Sequence, residues 1–481
     1  MTSAEQIASL LERLARLEGE VTTLRAEVTT LRAENATLKA ELAAVKDAKS
    51  ALETSAGENS TNSRKPPSSD APGTRPPKSS TGKKRGGQPG HPHHARPVVP
   101  PEKLAKRTSV VPAACKHCGS GNLIRTGAPA LAHQVAELPK IEPEWSQWDL
   151  HQCACKDCGK KTRAELPPGV PSHMFGARLL ALLAYLVARR MTRRQVQMLC
   201  ADVLGLKVSV GAISEAEENA SNALAAPVEE AEAYARRQRI KHVDANSWSL
   251  GGKLLALWTI ATKLVTVFFV TADQKTDTIA GLLTSLRGFL VTDRGAQFTF
   301  WAMKSRQICW AHLIRKFVSF TERADEGREI GEGLLFIAQA MLSAWHQVRD
   351  GTLTRKRYQE MANNAQVAVE NLLTRGVALR LKGISGSCAN ILTHKEALFR
   401  FAFVRGLEPT NNHAERALRA FVLWRKTSYG SQSERGCLFA RRLMSTVETL
   451  RQQKRHVFEF LVDACRTDQH GARGPSLLPT R

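Results

Sequence analysis

Two stretches of sequence, Ile240-Lys-His-Val-Asp244 and Gly288-Phe-Leu-Val-Thr-Asp293, decide how the second half of the chain folds. Each is a short apolar run that ends in an aspartate, a pattern that predicts a strand followed by a turn. Between them, Gly251-Gly252 predicts a turn before a second strand at Lys253–Thr262, and Leu264–Val270 predicts a third strand. The sequence therefore predicts a three-stranded meander and then a fourth strand.

The elements around these strands complete a known order. Asp277–Leu286 predicts a helix, and Arg306–Trp310 predicts a fifth strand that leads into another helix. The predicted order β-β-β-α-β-α-β-α is that of ribonuclease H-like α/β folds, in which the ends of the first and fourth strands lie side by side. We therefore expect Asp244 and Asp293 to lie close together, although an Asp that leaves a strand is often only a turn former.

A third carboxylate follows on a predicted helix. Glu415 lies in Asn411-Asn-His-Ala-Glu-Arg-Ala-Leu-Arg419, where Asn412 and Glu415 also resemble a helix-capping box. Three converging carboxylates need cations to stay ionised, and they suit two Mg²⁺ (or Mn²⁺) ions about 3.5–4 Å apart. Such a site supports in-line displacement at a phosphodiester, with water or a 3′-hydroxyl as the nucleophile.

Two similar units upstream carry cysteines at metal-ligand spacing. They are Cys115-Lys-His-Cys118-Gly and Cys155-Lys-Asp-Cys158-Gly. Two C-x-x-C pairs can converge on one tetrahedral Zn²⁺, and the glycine after each pair permits the positive φ that turns backbone N–H groups towards the sulfurs. We predict one structural zinc ion in a small zinc-ribbon module. Its fourth ligand stays open, because Cys153 lies beside Cys155.

The first residues predict a parallel two-stranded coiled coil. β-Branched residues are enriched at a, Leu dominates d, and the g and e charges form attractive pairs between two parallel chains. The alternative is a long solvated single helix. The a positions are Ile7, Leu14, Val21, Val28, Asn35 and Leu42, and the d positions are Leu10, Leu17, Leu24, Leu31, Leu38 and Val45.

The chain as a whole is strongly basic. It has 69 Lys and Arg against 45 Asp and Glu, a net charge of +24. Such a balance favours a nucleic-acid partner, because each neutralised phosphate releases a condensed counterion. Residues 53–109 lack Phe, Trp and Tyr and hold 10 of the 21 prolines, which predicts a disordered basic linker. This linker is either a spacer or an arm that follows phosphates.

No apolar run is long enough to span a bilayer, and the polar start predicts no export signal. With cysteines clustered as metal ligands, this composition predicts a cytoplasmic protein that associates with the nucleoid when bound to DNA.

Three helices are predicted between the cysteines and the first strand. They are Gly176–Arg190, Arg193–Val203 capped by Thr192, and a third that Ser209 caps. Gly205 suits the turn between the last two. The pattern fits a helix-turn-helix, and it fits any small helical bundle equally well.

Together these motifs resemble a transposase of the insertion sequence 66 family, part of the Asp-Asp-Glu group with ribonuclease H-like cores. The resemblance covers nearly the whole chain. Besides the zipper and the paired C-x-x-C, the matching motifs are Asn62-Ser-Arg-Lys-Pro-Pro-Ser-Ser-Asp70, Gly86-Gly-Gln-Pro-Gly-His91, His242-Val-Asp244, Val291-Thr-Asp293, Cys309-Trp-Ala-His312-Leu, Asn411-Asn-His-Ala-Glu-Arg-Ala-Leu-Arg419, Arg425-Lys426 and Tyr429-Gly-Ser431.

The resemblance implies that Asp244, Asp293 and Glu415 are catalytic. It also implies that the zipper, the zinc module and the central helices bind the ends of the element and multimerise, with accessory proteins of the same element as further partners. One departure is Ala245, where the family commonly has Glu. A basic segment beside Glu415 either positions DNA phosphates or is a solvated surface. Its residues are Arg416, Arg419, Arg425 and Lys426.

These expectations describe a multidomain chain that binds and cleaves element ends and transfers them into target DNA. The alternatives are a non-enzymatic zinc-containing DNA-binding regulator and a ribonuclease H-like nuclease. The predicted parts are a leucine-zipper coiled coil at 1–52, a disordered basic Pro-rich linker at 53–109, a zinc-binding module at 110–170, a helical DNA-binding domain at 171–236, the first part of the core at 237–312, a helical insertion at 313–405, the C-terminal part of the core with the catalytic Glu at 406–468, and a tail at 469–481.

Overall fold

The computed structural model describes residues 3–57, 59–62, 70, 98–127, 131–283 and 287–479. The chain forms two compact units. One unit comprises Met1–Arg75, Glu229–Lys426 and Leu477–Arg481, and the other comprises Pro76–Val228 and Thr427–Ser476. Most of the predicted linker, including the Gly86–His91 motif, lies outside the described residues.

The helices and strands are named here in chain order. They are α1 (Ser3–Gly57), β1 (Gln152–Ala154), β2 (Lys161–Arg163), α2 (Ala177–Ala188), α3 (Arg193–Leu204), α4 (Val210–Ala223), α5 (Ala225–Arg237), β3 (Ile240–Leu250), β4 (Lys253–Ala261), β5 (Thr266–Thr271), α6 (Thr276–Leu283), β6 (Phe289–Thr292), β7 (Arg306–Ile308), α7 (Trp310–Thr321), α8 (Gly327–Asp350), α9 (Arg355–Ala378), α10 (Ser385–Leu392), α11 (Arg400–Phe403), α12 (Asn412–Ser428), α13 (Glu434–Gln452) and α14 (Val457–Gln469). In the described ranges, no helix is both long enough and apolar enough to cross a membrane.

A five-stranded mixed sheet organises the first unit, in the order β5-β4-β3-β6-β7. The first three strands pair antiparallel, as the predicted meander requires. β6 then pairs parallel with β3, with His242 opposite Val291, and β7 pairs parallel with β6. The predicted adjacency of the first and fourth strands is therefore confirmed, and it fixes where Asp244 and Asp293 lie.

Two details of this sheet differ from the prediction. β3 continues past Asp244 to Leu250, because β4 pairs with it along that whole length around the Gly251-Gly252 turn. Between β6 and β7 lie two short 3₁₀ turns instead of the helix in the predicted order. Phe298 anchors this connection, because its buried ring packs edge-on against Trp258 with centroids 6.1 Å apart. A short connection suffices between adjacent parallel strands when it packs directly on the sheet.

The helices α7 to α11 share one hydrophobic core with β6 and β7 of the sheet. α8 and α9 contain the two amphipathic stretches that the sequence predicts as helical. Trp345 of α8 contacts Tyr358 of α9 with ring centroids 5.5 Å apart, and it contacts Phe401 of α11 with ring centroids 5.3 Å apart. Trp310 is a core residue, and its indole N–H donates to the carbonyl of Leu398 at 2.6 Å. This packing holds α7 firmly against the sheet.

The second unit contains the predicted three-helix segment. Thr192 caps α3 in a capping box with Gln195, and Ser209 caps α4 by accepting the N–H of Ala212 at 3.0 Å. Gly205 ends α3 with φ +63°, a conformation that suits glycine. An ion pair between Arg193 and Glu217 joins α3 to α4. α13 and α14 pack against α2 and α4, which completes a helical bundle.

Candidate active site

The three predicted carboxylates line one cleft in the first unit. Asp244 lies on β3, Asp293 directly follows β6, and Glu415 is in the first turn of α12. The cleft has a volume of about 670 Å³. Its other lining residues are Ala245, Asn246, Gln274, Gly295, Gln297, His312, Arg315, Asn412, Arg416, Leu418, Arg419, Val422, Leu423 and Lys426. The fold thus brings together acids that are far apart in the sequence.

The pKa of the Asp244 carboxyl group is raised by burial and by the other two acids of the cleft. Burial raises its pKa to about 7, and the negative charges of Glu415 and Asp293 add to that increase. The N–H of Ala245, which donates to Oδ1 at 2.9 Å, and the guanidinium of Arg315 act in the opposite direction. A partly buried acid that faces two further acids gains from a bound cation, which removes the repulsion. The donor set therefore fits hard divalent cations such as Mg²⁺ or Mn²⁺.

The raised pKa of Asp244 makes a prediction about stability in the absence of metal. Between about pH 4 and pH 7 the folded protein keeps a proton on Asp244 that the unfolded chain has lost, so the free energy of unfolding falls as pH rises. Asp244→Asn removes this dependence. In urea unfolding with a chelator present, we expect the variant to gain on the order of 3 kcal/mol over the wild type between pH 5 and pH 8. A difference that stays constant across these pH values would contradict this.

Asp293 forms the turn that the sequence allows, and it also faces the cleft. Its Oδ1 accepts the N–H of Gly295 at 2.8 Å. Its carbonyl accepts a hydrogen bond from Arg306 at 3.1 Å, and the same guanidinium nitrogen reaches Thr292 Oγ1 at 3.2 Å. Arg306 is fully buried, and burial lowers its pKa to about 10. The Asp293 side chain thus both stabilises the turn and faces the cleft, and Arg306 on β7 holds the backbone of Asp293 in place.

Glu415 contacts α7 rather than the two aspartates. Its Oε2 lies 3.4 Å from Arg315, and its Oε1 lies 3.5 Å from His312 Nδ1 and 3.8 Å from the Cys309 sulfur. Among the described residues, one group of His, Cys, Asp or Glu side chains has three ligand atoms that all lie within 4.8 Å of one another. This group is Cys309, His312 and Glu415. The three proposed catalytic acids share a cleft, but their oxygens do not form so tight a cluster.

A buried asparagine holds these elements together. The side-chain amide of Asn411 donates to the carbonyl of Val243 at 2.8 Å, and its backbone N–H donates to Cys309 Sγ at 3.0 Å. Asn411 thereby joins β3, the start of α7 and the start of α12. His242 is also buried and packs on His413, with ring centroids 5.5 Å apart. Burial lowers the pKa of His242 to about 4, so this imidazole is neutral at physiological pH.

The predicted DNA-binding residues divide into two groups. Arg416, Arg419 and Lys426 are exposed and line the cleft. Arg425 does not line it, and donates instead to Asn246 Oδ1 at 3.2 Å and to the backbone carbonyl and hydroxyl of Ser247. These hydrogen bonds fasten α12 to β3, and phosphate binding by Arg425 stays a prediction.

The two cysteine units in the second unit form matching turns. The N–H of Gly119 donates to the carbonyl of Cys115, and the N–H of Gly159 donates to that of Cys155, each at 2.9 Å. Both glycines have positive φ, as predicted. Backbone N–H groups of the following residues lower the thiol pKa of Cys115 and of Cys155. Each turn suits a pair of zinc ligands, although the four sulfurs do not all lie within 4.8 Å of one another.

Sequence reasoning missed Asn411, Arg315 and Arg306 as parts of this site. Asn411 stood inside a quoted motif, but nothing in its spacing predicted a buried hydrogen bond across 168 residues. Arg315 lies three residues after His312 on α7, and this i,i+3 spacing on one helix face was the available signal.

Comparison with known proteins supports one assignment. A family model described as the transposase IS66 family matches residues 172–438, more than half of the chain. A second model, of a family of unknown function, matches residues 6–97. No curated protein is significantly similar to the chain.

Proposed function

The chain belongs to the transposase IS66 family, and from this premise we propose that it binds insertion-sequence ends, cleaves phosphodiester bonds there and transfers 3′-hydroxyl ends into target DNA. The observation that carries the proposal is the cleft in which Asp244, Asp293 and Glu415 meet four Lys and Arg side chains. Metal-dependent cleavage of nucleic acid requires carboxylates that bind the metal ions and basic side chains that contact the phosphates.

Each part of the cleft has a task in this proposal. Asp244, Asp293 and Glu415 would hold two Mg²⁺ or Mn²⁺ ions. When bound, such ions stabilise charge on the attacking and leaving oxygens of the phosphodiester. The turn at Asp293 and the burial of Asp244 keep two carboxylates directed into the cleft. Arg315 holds Glu415 until the cations and DNA arrive.

The core supporting this site is proposed to be ribonuclease H-like. The strand order β5-β4-β3-β6-β7, with the first three strands antiparallel and the last two parallel, supports this assignment. In that fold the acids of the first and fourth strands lie side by side. Asp293 directly follows β6, and Asp244 lies on β3 two residues past His242, the last β3 residue that pairs with β6.

The basic side chains of the cleft would position DNA by its phosphates. Arg419→Ala should weaken DNA binding about 3- to 30-fold and reduce the slope of log affinity against log salt by about one. Arg425→Ala is its counterpart on the same helix. Because Arg425 fastens α12 to β3, we expect its loss to lower the free energy of unfolding by about 1–3 kcal/mol. Fluorescence anisotropy across salt concentrations and urea unfolding measure the two effects, and an exchange of the effects would contradict the assignment.

The remaining modules would recognise and pair the element ends. We propose that α2 to α4 read DNA as a helix-turn-helix, that Cys115, Cys118, Cys155 and Cys158 hold one structural Zn²⁺, and that α1 pairs two chains as a homodimer or within a higher oligomer. Exposed leucines along α1 support the pairing, since Leu24 and Leu31 are 57% and 61% exposed in the single chain.

Accessory proteins encoded by the same element remain a further predicted partner. The zinc content of the purified protein, measured by mass spectrometry, tests the prediction that Cys115, Cys118, Cys155 and Cys158 hold one structural Zn²⁺.

One assay separates the transposase from its two alternatives. Purified protein is incubated with Mg²⁺ or Mn²⁺, a duplex that carries the element end and a target plasmid. Strand transfer supports the transposase, whereas hydrolysis without joining supports the nuclease. Specific binding without cleavage supports a zinc-containing regulator and would overturn the enzymatic proposal.

A further inference from the structure

A second set of potential metal ligands lies beside the carboxylates. Cys309 precedes α7 as its N-cap residue, and His312 follows in the first turn of that helix. Glu415 approaches both from the first turn of α12. The sulfur, the imidazole nitrogen and a carboxylate oxygen all lie within 4.8 Å of one another. Sulfur and nitrogen donors prefer thiophilic cations such as Zn²⁺, whereas Mg²⁺ prefers oxygen donors alone.

The spacing of these atoms matches a tetrahedral site. With Zn–S of about 2.3 Å and Zn–O and Zn–N of about 2.0–2.1 Å, sulfur and oxygen lie about 3.6 Å apart, and nitrogen and oxygen about 3.4 Å apart. The Cys309 sulfur lies 3.8 Å from Glu415 Oε1, and His312 Nδ1 lies 3.5 Å from the same oxygen. Both separations are within about 0.2 Å of the tetrahedral values.

The surroundings orient the three ligands. Arg315 contacts Oε2 of Glu415 at 3.4 Å, so that Oε1 faces the sulfur and the imidazole. The backbone N–H of Asn411 donates to the Cys309 sulfur at 3.0 Å, which stabilises negative charge on a bound thiolate. The position of Cys309 at the N-terminus of a twelve-residue helix acts in the same direction. His312 and Glu415 both line the cleft, which leaves solvent as the source of a fourth ligand.

We propose that Cys309, His312 and Glu415 form a binding site for a thiophilic divalent cation such as Zn²⁺, separate from the paired cysteines and sharing Glu415 with the magnesium site. Binding replaces the Cys309 thiol proton, which passes to solvent, with a metal–sulfur bond. The site itself rests on geometry alone. Its consequence, that Zn²⁺ withholds Glu415 from Mg²⁺ and inhibits strand cleavage, rests on the proposed function.

Cobalt(II) is a probe for the site in the full-length protein, because cobalt–thiolate bonds absorb in the near ultraviolet. We expect Cys309→Ser to bind one equivalent less Co²⁺ than the wild type and to lose part of this absorption. Cys388→Ser is the matched control, since Cys388 is also buried in the first unit but belongs to no ligand cluster among the described residues. His312→Gln retains the thiol and should lose the same equivalent. Equal Co²⁺ binding by Cys309→Ser, His312→Gln and Cys388→Ser would overturn the site.

The catalytic consequence is measured separately. In the strand-cleavage assay with Mg²⁺, micromolar Zn²⁺ should inhibit the wild type and Cys388→Ser at least about tenfold more strongly than His312→Gln, relative to each protein without Zn²⁺. Equal inhibition of all three proteins would contradict the sharing of Glu415. If the wild type cleaves no DNA under any metal condition, the proposed function fails, while the cobalt measurement still decides whether the metal site exists. An insoluble Cys309→Ser protein leaves the decision with His312→Gln.

Discussion

Asp293→Asn is expected to abolish both DNA cleavage and strand joining, with rates falling by at least about 1,000-fold, while DNA binding and self-association stay intact. The expected size follows from metal-site energetics, because even outer partners of metal ligands cost about 10–100-fold when removed. A direct ligand that loses its charge should cost more. Asparagine keeps an Oδ1 that can accept the N–H of Gly295, so the turn after β6 should survive the substitution. The loss would then report the charge of the carboxylate and not the shape of the loop.

The control for this experiment is Asp350→Asn. Asp350 is exposed at the end of α8, where it accepts hydrogen bonds from Thr352. The Asp350→Asn substitution makes the same change in charge outside the cleft, so this variant should cleave DNA at the rate of the wild type. Retained turnover by Asp293→Asn, measured on a labelled element-end duplex with Mg²⁺ and with Mn²⁺, would refute the catalytic assignment.

Local pattern explains why so much of the fold could be predicted. Strands such as β4 and β5 alternate with strong turn signals, and the caps at Thr192 and Ser209 act within three residues of their own helices. Even the adjacency of β3 and β6 followed from element order, because few topologies accommodate three antiparallel strands and then a returning strand. The segment after β6 was the exception, since a buried Phe298 replaces the helix that the usual order contains.

The candidate site could be predicted only as a set of acids, and not as an arrangement. Sequence placed Asp244, Asp293 and Glu415 in one region, but it could not show that Glu415 would contact Arg315 and His312 before any cation binds. Such pairings depend on side-chain geometry between helices that are about a hundred residues apart in the chain. The same limit applies to Arg425. Its charge predicts phosphate binding, but the sequence could not show that its guanidinium also donates to Asn246 on β3.

A pair of substitutions in the zipper, Leu24→Lys with Leu31→Lys, is expected to convert the protein from a dimer to a monomer. Both leucines occupy d positions of the predicted heptad, and both are more than half exposed on α1 in the single chain. Two chains would bury four such side chains, and each buried leucine contributes about 1.5–3 kcal/mol. The free energy lost with these leucines, together with the cost of burying four ammonium groups, exceeds the binding free energy of a dimer that dissociates at micromolar concentration. Element-end cleavage should fall with it if paired ends are required.

The matched control adds the same two charges on the opposite face of the helix. Ala26→Lys with Ala33→Lys places lysines at f positions, which point away from the partner in a two-stranded coiled coil. Multi-angle light scattering should find this protein dimeric at concentrations where the leucine variant is monomeric. If the two variants have the same mass, either both dimeric or both monomeric, the heptad does not set the pairing. A wild-type protein that is monomeric at all concentrations would mean that α1 is a solvated single helix. The charges at the g and e positions argue against this alternative, because all of those pairs are attractive between two parallel chains in register.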